Sequence, residues 1–116
     1  MTLPVLRAAL TEITPPTADD AKLRDLFIAR LDGWVIDDST AERLLDDLNG
    51  ILGNVWFSAP GVHAAVFQAL EDFAKEVRGI GGMTVNERLF TFGLLDAWDR
   101  ATESTRKLFR SKLGAA

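Results

Sequence analysis

The chain has 116 residues, with 13 Lys and Arg against 17 Asp and Glu, one His, and neither Cys nor Tyr. This length suits one domain with its own core, and a composition that is 47% hydrophobic and 26% charged is typical of a soluble globular protein. The lack of Cys excludes disulfide scaffolds, thiolate zinc sites and Cys nucleophiles, and a single His excludes most His-based metal sites. The N-terminus lacks a signal-peptide pattern, and no apolar run approaches the roughly 18 residues of a membrane span. We therefore expect a cytoplasmic protein without a cofactor.

Two helices are predicted in the first third of the chain. Thr2 caps the start of the first helix, and the Thr14-Pro15-Pro16 run ends it because proline disfavours helical geometry in the residue before it. Thr17 and Asp20 form the T-x-x-D start of the second helix. Gly33 is the residue expected to end that helix.

A short connector and a third helix follow. Residues 34–36, Trp-Val-Ile, have no visible partner strand, so they predict a buried connector. Ser39 and Glu42 form a capping box that opens the third helix. Gly50 and Gly53 weaken the end of this helix.

The fourth and fifth helices are predicted from residue 60 onward. Pro60 suits the first position of a helix, and apolar residues then recur at helical spacing until Gly79 stops it. The Gly-Ile-Gly-Gly stretch at 79–82 is the best candidate for an internal hinge. Residues 84–87 form a second capping box, and the helix after it is apolar almost all round as far as Trp98. Such a helix must be surrounded, so we expect it at the centre of the bundle or in an interface.

A last helix is predicted from about residue 103 to 113, with Gly114 as its stop. The sequence therefore predicts an all-α fold, a compact bundle of five or six helices with no convincing strand. It forms one domain over residues 1–116. The candidate hinge divides residues 1–78 from a C-terminal helical pair at 83–116.

Charge is unevenly distributed along the chain. Between residues 19 and 47, nine acidic residues stand against four basic ones, a local charge of −5, whereas the chain from Arg100 has five basic residues and one acidic residue, a local charge of +4. Several of the acids lie at or before helix starts, where carboxylates stabilise the helix. The alternative interpretation is an acidic surface that attracts a basic partner.

Aromatic residues on predicted loops are candidates for the same surface. Trp56 and Phe57 lie on the predicted loop at 54–59, where exposed rings are typical of interface anchors, although core packing is the commoner fate of such rings. The residues predicted to bind a partner are Asp37, Asp38, Asp46, Asp47, Trp56 and Phe57.

The spacing of polar residues argues against catalysis and metal binding. Residues 37–42 hold three acids but lack the alternating ligands and the glycine of an EF-hand. The adjacent pairs Asp46-Asp47 and Glu71-Asp72 do not face each other on a helix. His63 lacks a nucleophile in a G-x-S-x-G motif. We therefore predict no metal ligand and no catalytic residue.

Phosphate, nucleic acid and membranes are also disfavoured as ligands. The glycine-rich stretch at 79–82 precedes a helix start, but neither a strand before it nor a G-K-[ST] sequence accompanies it. Basic residues of the final helix could contact phosphates or a membrane surface, but they are few and the net charge of −4 opposes both. These residues are Arg106, Lys107, Arg110 and Lys112.

The segment from Met83 carries a specific string. Residues 83–90 are MTVNERLF, followed by GLLD at 93–96 and WD at 98–99. This string resembles the opening motif of a group of small bacterial proteins of unknown function, in which a basic and apolar helix also follows. The resemblance covers residues 83–116, the last 34 residues of the chain, and implies a capped helix rather than an activity. Residues 1–82 carry no such resemblance.

These observations favour a small acidic domain that docks onto another protein, in its concrete form an immunity or inhibitor protein with a basic partner. One alternative is a self-associating structural subunit whose apolar fifth helix is buried in a homodimer. Another is an enzyme with a carboxylate site assembled from several helices, which the lack of Cys and the single His disfavour.

Overall fold

The computed structural model describes residues 1–114. Within this range the chain forms seven α-helices, one 3₁₀ turn and no β-strand. The helices are α1 (Leu3–Glu12), α2 (Ala18–Ile36), α3 (Ala41–Asn54), α4 (Pro60–Arg78), α5 (Val85–Thr91), α6 (Leu95–Asp99) and α7 (Glu103–Lys112), and the 3₁₀ turn is Ile80–Gly82. The all-α prediction is confirmed, and residues 115–116 of the predicted domain lie outside the described part.

Helices α1 to α4 form a closed ring. α1 packs against α2 and α4, and α3 packs against the same two helices. Short connections make consecutive helices antiparallel, so the ring has two distinct ends. At the covered end, α5 to α7 pack across the end of α2, the start of α3 and the end of α4. The open end is made by the connections at residues 13–17 and 55–59.

The three C-terminal helices share the core of the ring. The ring centroid of Phe92, which follows α5, lies 5.8 Å from that of Trp34 in α2 and 5.8 Å from that of Phe73 in α4. Residues on both sides of the predicted hinge at 79–82 therefore pack together, and the segment itself contains the 3₁₀ turn.

α2 is longer than the sequence predicts. Gly33 does not end the helix, which continues through Ile36 in place of the predicted connector. Trp34 is fully buried, and its indole N–H donates to the carbonyl oxygen of Thr40 at 3.1 Å, whereas Ile36 is 86% exposed. The prediction was wrong because a glycine permits a helix to end but does not require it, and burial of Trp34 favours the longer helix.

The predicted long fifth helix is two short helices, α5 and α6. Gly93 between them has a φ of 72°, a left-handed conformation that glycine adopts at no steric cost. Its N–H donates to the carbonyl oxygen of Phe90 at 3.2 Å, and the N–H of Leu94 donates to that of Leu89 at 2.8 Å, which together form a Schellman cap. Leu89 and Leu94 are buried, whereas Phe90 is 63% exposed. The expectation of one helix surrounded on all sides is therefore wrong, and the break adds a seventh helix.

Most of the predicted helix starts are confirmed. Thr2, Thr17 and Thr84 each accept a backbone N–H of the first turn, and Thr84 forms a complete capping box with Glu87. Pro60 occupies the first position of α4.

The third helix starts one residue later than predicted. Its N-cap is Thr40, which accepts the N–H of Arg43 at 3.2 Å. The Ser39 hydroxyl instead donates to Asp37 Oδ1 at 2.7 Å, so the predicted box of Ser39 with Glu42 does not form.

Candidate functional site

A buried carboxylate fastens the loop at residues 55–59 to the start of α2. Asp20 is 1% exposed, and its two oxygens accept the backbone N–H groups of Ser58 at 2.9 Å and Ala59 at 3.1 Å. These amides directly precede α4, which has no side-chain cap of its own. A carboxylate at this position satisfies both donors and is favoured by the helix dipole. The hydrogen bond from Ser58 is the main cause that lowers the pKa of Asp20, although burial opposes it.

The loop directs its two aromatic side chains to opposite sides. Phe57 is 5% exposed and stacks on Phe27 with ring centroids 6.5 Å apart, so it is a core residue and not the exposed anchor that the sequence suggests. Trp56 is 90% exposed. The backbone that carries Trp56 is therefore fixed by Asp20 and by the burial of Phe57, while its indole ring lies in solvent.

Two depressions flank this loop. An open groove of about 600 Å³ runs between α2 and α3, and its lining includes Leu26, Ile51 and Val55. A pocket of about 340 Å³ lies on the other side, between the loop and the first turn of α4. Val55 lines the groove and Trp56 lines the pocket, so the two depressions meet at the loop. We call them the α2–α3 groove and the Trp56 pocket.

Two of the four predicted acidic residues are held in internal ion pairs. Asp37 accepts hydrogen bonds from Arg30 at 2.8 Å, from Ser39 and from Lys112. Asp47 accepts Arg30 Nε at 2.9 Å and Arg43 Nε at 3.0 Å. Burial by itself would raise the pKa of Asp37, but its hydrogen-bond donors outweigh burial and hold that pKa far below its ordinary value.

The other two predicted acids are exposed to solvent. Asp38 and Asp46 make no ion pair with the residues of the described range. Asp46 lines the α2–α3 groove, and Glu42 lies one turn before it on the exposed side of α3. The free negative charge along α3 is therefore smaller than the local charge of the sequence suggests, and it is concentrated at its N-terminal half.

The structure brings only part of the predicted set together. Asp46 and Asp47 line the groove that reaches the loop of Trp56. Asp37 and Asp38 lie at the covered end, before the start of α3, and Trp56 lies after its end. The 14 residues of α3 put about 20 Å between these two places.

The basic C-terminal helix is less exposed than its sequence suggests. Lys112 is 1% exposed and points into the covered end. The guanidinium groups of Arg106 and Arg110 lie 5.0 and 5.4 Å from the ring centroid of Trp98. Lys112 was grouped with the other basic residues of the final helix, but it lies three positions after Phe109, on the buried face of α7. Its charge alone does not mark it as a lysine that caps a distant helix.

Asp20 was also missed as a residue of the site. Its T-x-x-D spacing predicts a contact with its own helix start, and Thr17 does accept the N–H of Asp20 at 3.1 Å. The Asp20 carboxylate, however, bonds 38 and 39 residues further along the chain. Two free amides before Pro60 are the signal that an acceptor is needed there, but they do not say which residue supplies it.

The remaining chemistry of the described residues is sparse. His63, the predicted non-catalytic imidazole, lines the Trp56 pocket and lies 6.2 Å from Phe57 between ring centroids. Within residues 1–114 no group of three or more His, Asp or Glu side chains is arranged to hold a metal ion. No helix in this range is both long and apolar enough to cross a membrane.

Comparisons with protein-family models, with curated proteins and with solved structures found no match for this chain.

Proposed function

We propose that this protein is a docking domain that binds another protein through the surface around Trp56. This docking surface consists of Trp56, its pocket and the α2–α3 groove with Asp46. The observation that carries the proposal is the 90% exposure of Trp56 on a loop that Asp20 and Phe57 hold in place. An exposed tryptophan on a fixed backbone loses little conformational entropy on binding and buries a large apolar area.

The groove extends this anchor into a surface with both apolar and acidic parts. Leu26 is 48% exposed on α2 and lines the groove together with Ile51 of α3 and Val55, the first residue of the loop. Asp46 lies on the rim without an internal ion pair. A central aromatic and aliphatic contact with charge at its edge is the arrangement from which protein interfaces draw both affinity and association rate.

The free acidic residues favour a basic partner. Asp38, Glu42 and Asp46 follow α3 from the covered end toward the groove. Such a row would steer a positively charged protein toward the docking surface, in keeping with an immunity or inhibitor protein for a basic target. A cytoplasmic location remains part of this proposal.

The test is retention of a partner from a lysate of the cells that make the protein, with matched variants. Wild type should retain a protein that Trp56→Ala and Asp46→Lys lose. Phe90→Ala removes an aromatic ring that is 63% exposed but lines neither depression, and should retain the partner. Asp99→Lys makes the same change of net charge on α6 and should also retain it.

Two results would count against the proposal. Equal retention by wild type and Trp56→Ala would place the docking surface elsewhere. A wild-type chain that retains no protein and sediments at twice its own mass would favour the self-associating subunit. Because Leu89, Phe92 and Leu94 are buried within one chain, such a dimer would have to use other residues than the predicted apolar helix.

A further inference from the structure

The C-terminal end of α2 receives a cation from another helix. The ammonium nitrogen of Lys112, on α7, lies 2.5 Å from the carbonyl oxygen of Trp34 and 2.7 Å from that of Asp37. It lies 3.2 Å from Asp37 Oδ1. An ammonium group has three N–H donors, and these three acceptors use all of them.

An aromatic face completes the surroundings of this nitrogen. It lies 4.2 Å from the ring centroid of Trp34, within the range of a cation–π interaction. The Lys112 side chain has no exposed surface, so the whole group is withdrawn from solvent. Burial lowers the pKa of Lys112, and the ion pair with Asp37 opposes this shift only in part.

The acceptors are themselves held in place by other residues. Asp37 also accepts the Ser39 N–H at 3.0 Å and Arg30 at 2.8 Å, which fixes the carboxylate that faces the ammonium. α2 has no basic residue in its own last turn. A cation is favoured at a helix C-terminus, and here it comes from a residue 75 positions further along the chain.

We propose that the C-terminal end of α2 is a binding site for a primary alkylammonium group, which the chain fills with its own Lys112. α7 is then a strap, held on the covered end by this cation together with the buried rings and methyl groups of Phe109 and Leu113. A lysine that served packing alone would be replaceable by an apolar side chain of similar volume, whereas removing one partner of a buried ion pair leaves the other without compensation. The site is instead arranged for a cation, because three oxygen acceptors and an indole face converge on one nitrogen. The site is separate from the docking surface at the open end, and it does not depend on the proposed function.

The test is chemical rescue of Lys112→Ala. This variant keeps Cβ and removes three carbons and the nitrogen, a volume that matches n-propylammonium. We expect the amides of α7 to exchange about 10- to 100-fold faster than in wild type, because the contacts of the ammonium group no longer hold the helix closed. Added n-propylammonium chloride should restore protection with a saturable dependence on concentration, because it binds the folded form.

Three controls separate recognition of the cation from other effects. Propan-1-ol has the same chain length without the charge and should not restore protection, and neither should sodium chloride at equal concentration. Lys107→Ala removes an exposed lysine of the same helix and should leave exchange unchanged. Equal rescue by propan-1-ol, or no rescue by n-propylammonium, would overturn the proposal.

A second variant covers the case in which Lys112→Ala does not fold. Lys112→Met keeps most of the volume of the side chain and removes the charge. Faster exchange of the α7 amides than in wild type would support a strap held by the cation. Protection of α7 equal to that of wild type would overturn it, because the ammonium would then not be what holds the helix.

Discussion

At each end of α2 a buried charged side chain caps a helix terminus, and the two charges are opposite in sign. At the open end the carboxylate of Asp20 accepts the amides before α4, and at the covered end the ammonium of Lys112 donates to the last carbonyls of α2. Both residues are 1% exposed. About 25 Å of helix separates the two contacts. In each case a helix terminus with unsatisfied backbone groups is capped by a charged residue from a distant part of the chain.

The difference between the ends lies in what else surrounds the charge. Asp20 is stabilised by neutral backbone donors, whereas Lys112 has a carboxylate and an indole face beside its carbonyl partners. Within the described residues every buried polar side-chain atom has a hydrogen-bond partner. The comparison teaches that a buried charge is tolerated when all its hydrogen-bonding groups are used, with or without an ion of opposite charge.

The largest effect is expected from charge reversal at the covered end. Lys112→Glu would bring a carboxylate against two carbonyl oxygens and Asp37, so we expect a loss of about 4 kcal/mol or more in the free energy of unfolding. Urea denaturation measures this loss. Lys107→Glu, on the exposed side of the same helix, should change the stability by less than about 0.5 kcal/mol. Similar losses for the two variants would contradict the buried role of Lys112.

At the open end, substitutions of the adjacent residues Phe57 and Trp56 should have very different effects on stability. Phe57→Ala removes a buried ring that stacks on Phe27 and should cost about 3 kcal/mol. Trp56→Ala removes a ring that is 90% exposed and should change stability by less than about 0.5 kcal/mol. Thermal unfolding of the two variants gives the comparison. A large loss for Trp56→Ala would mean that its ring supports the fold rather than a partner.

A smaller loss of stability is expected when the carboxylate of Asp20 is replaced by an amide. In Asp20→Asn one oxygen still accepts an N–H, but the amide nitrogen cannot accept the other. The pKa of Asp20 is lower in the folded protein than its ordinary value of 3.8, so its contribution is complete above that value and is lost as the pH falls through the folded pKa. Asp20→Asn should therefore be less stable at neutral pH and lose less stability on acidification than wild type. Parallel pH profiles for the two proteins would contradict this role.

The distance between the two caps predicts that the losses of stability caused by removing them are additive. Because the two contacts lie about 25 Å apart and share no partner, the losses in Asp20→Asn and Lys112→Met should add in the double variant to within about 0.5 kcal/mol. Urea denaturation of both single variants and the double variant tests this. A larger deviation would show that the two ends of α2 are coupled.

The smallest effect is a gain in stability when a glycine inside α3 is replaced by alanine. A Cβ atom added at Gly50 or Gly53 meets no other atom within 4 Å. Gly50→Ala should therefore stabilise the protein by about 0.5–1 kcal/mol, and Gly53→Ala by less because it lies in the last turn. Gly50 lines the α2–α3 groove and Gly53 does not. If the groove binds the partner, Gly50→Ala should weaken retention while Gly53→Ala should not.

The sequence by itself determined the helices and most of their starts. Capping residues and apolar periodicity act over three or four positions, so Thr2, Thr17 and Thr84 could be assigned without knowledge of the fold. The break at Gly93 was missed because its apolar neighbours fit a helix, and only the Schellman geometry shows the end.

The tertiary structure decided which charged and aromatic side chains are exposed and unpaired, and so available to a partner. Asp37 is paired with Lys112 of α7, and Asp47 of α3 with Arg30 of α2. Phe57 and Trp56 are adjacent yet differ in burial. The partners of Asp20 and Lys112 lie at least 38 residues away. Contacts over such separations form when helices pack, and periodicity within one helix carries no information about which residue of another helix will face it.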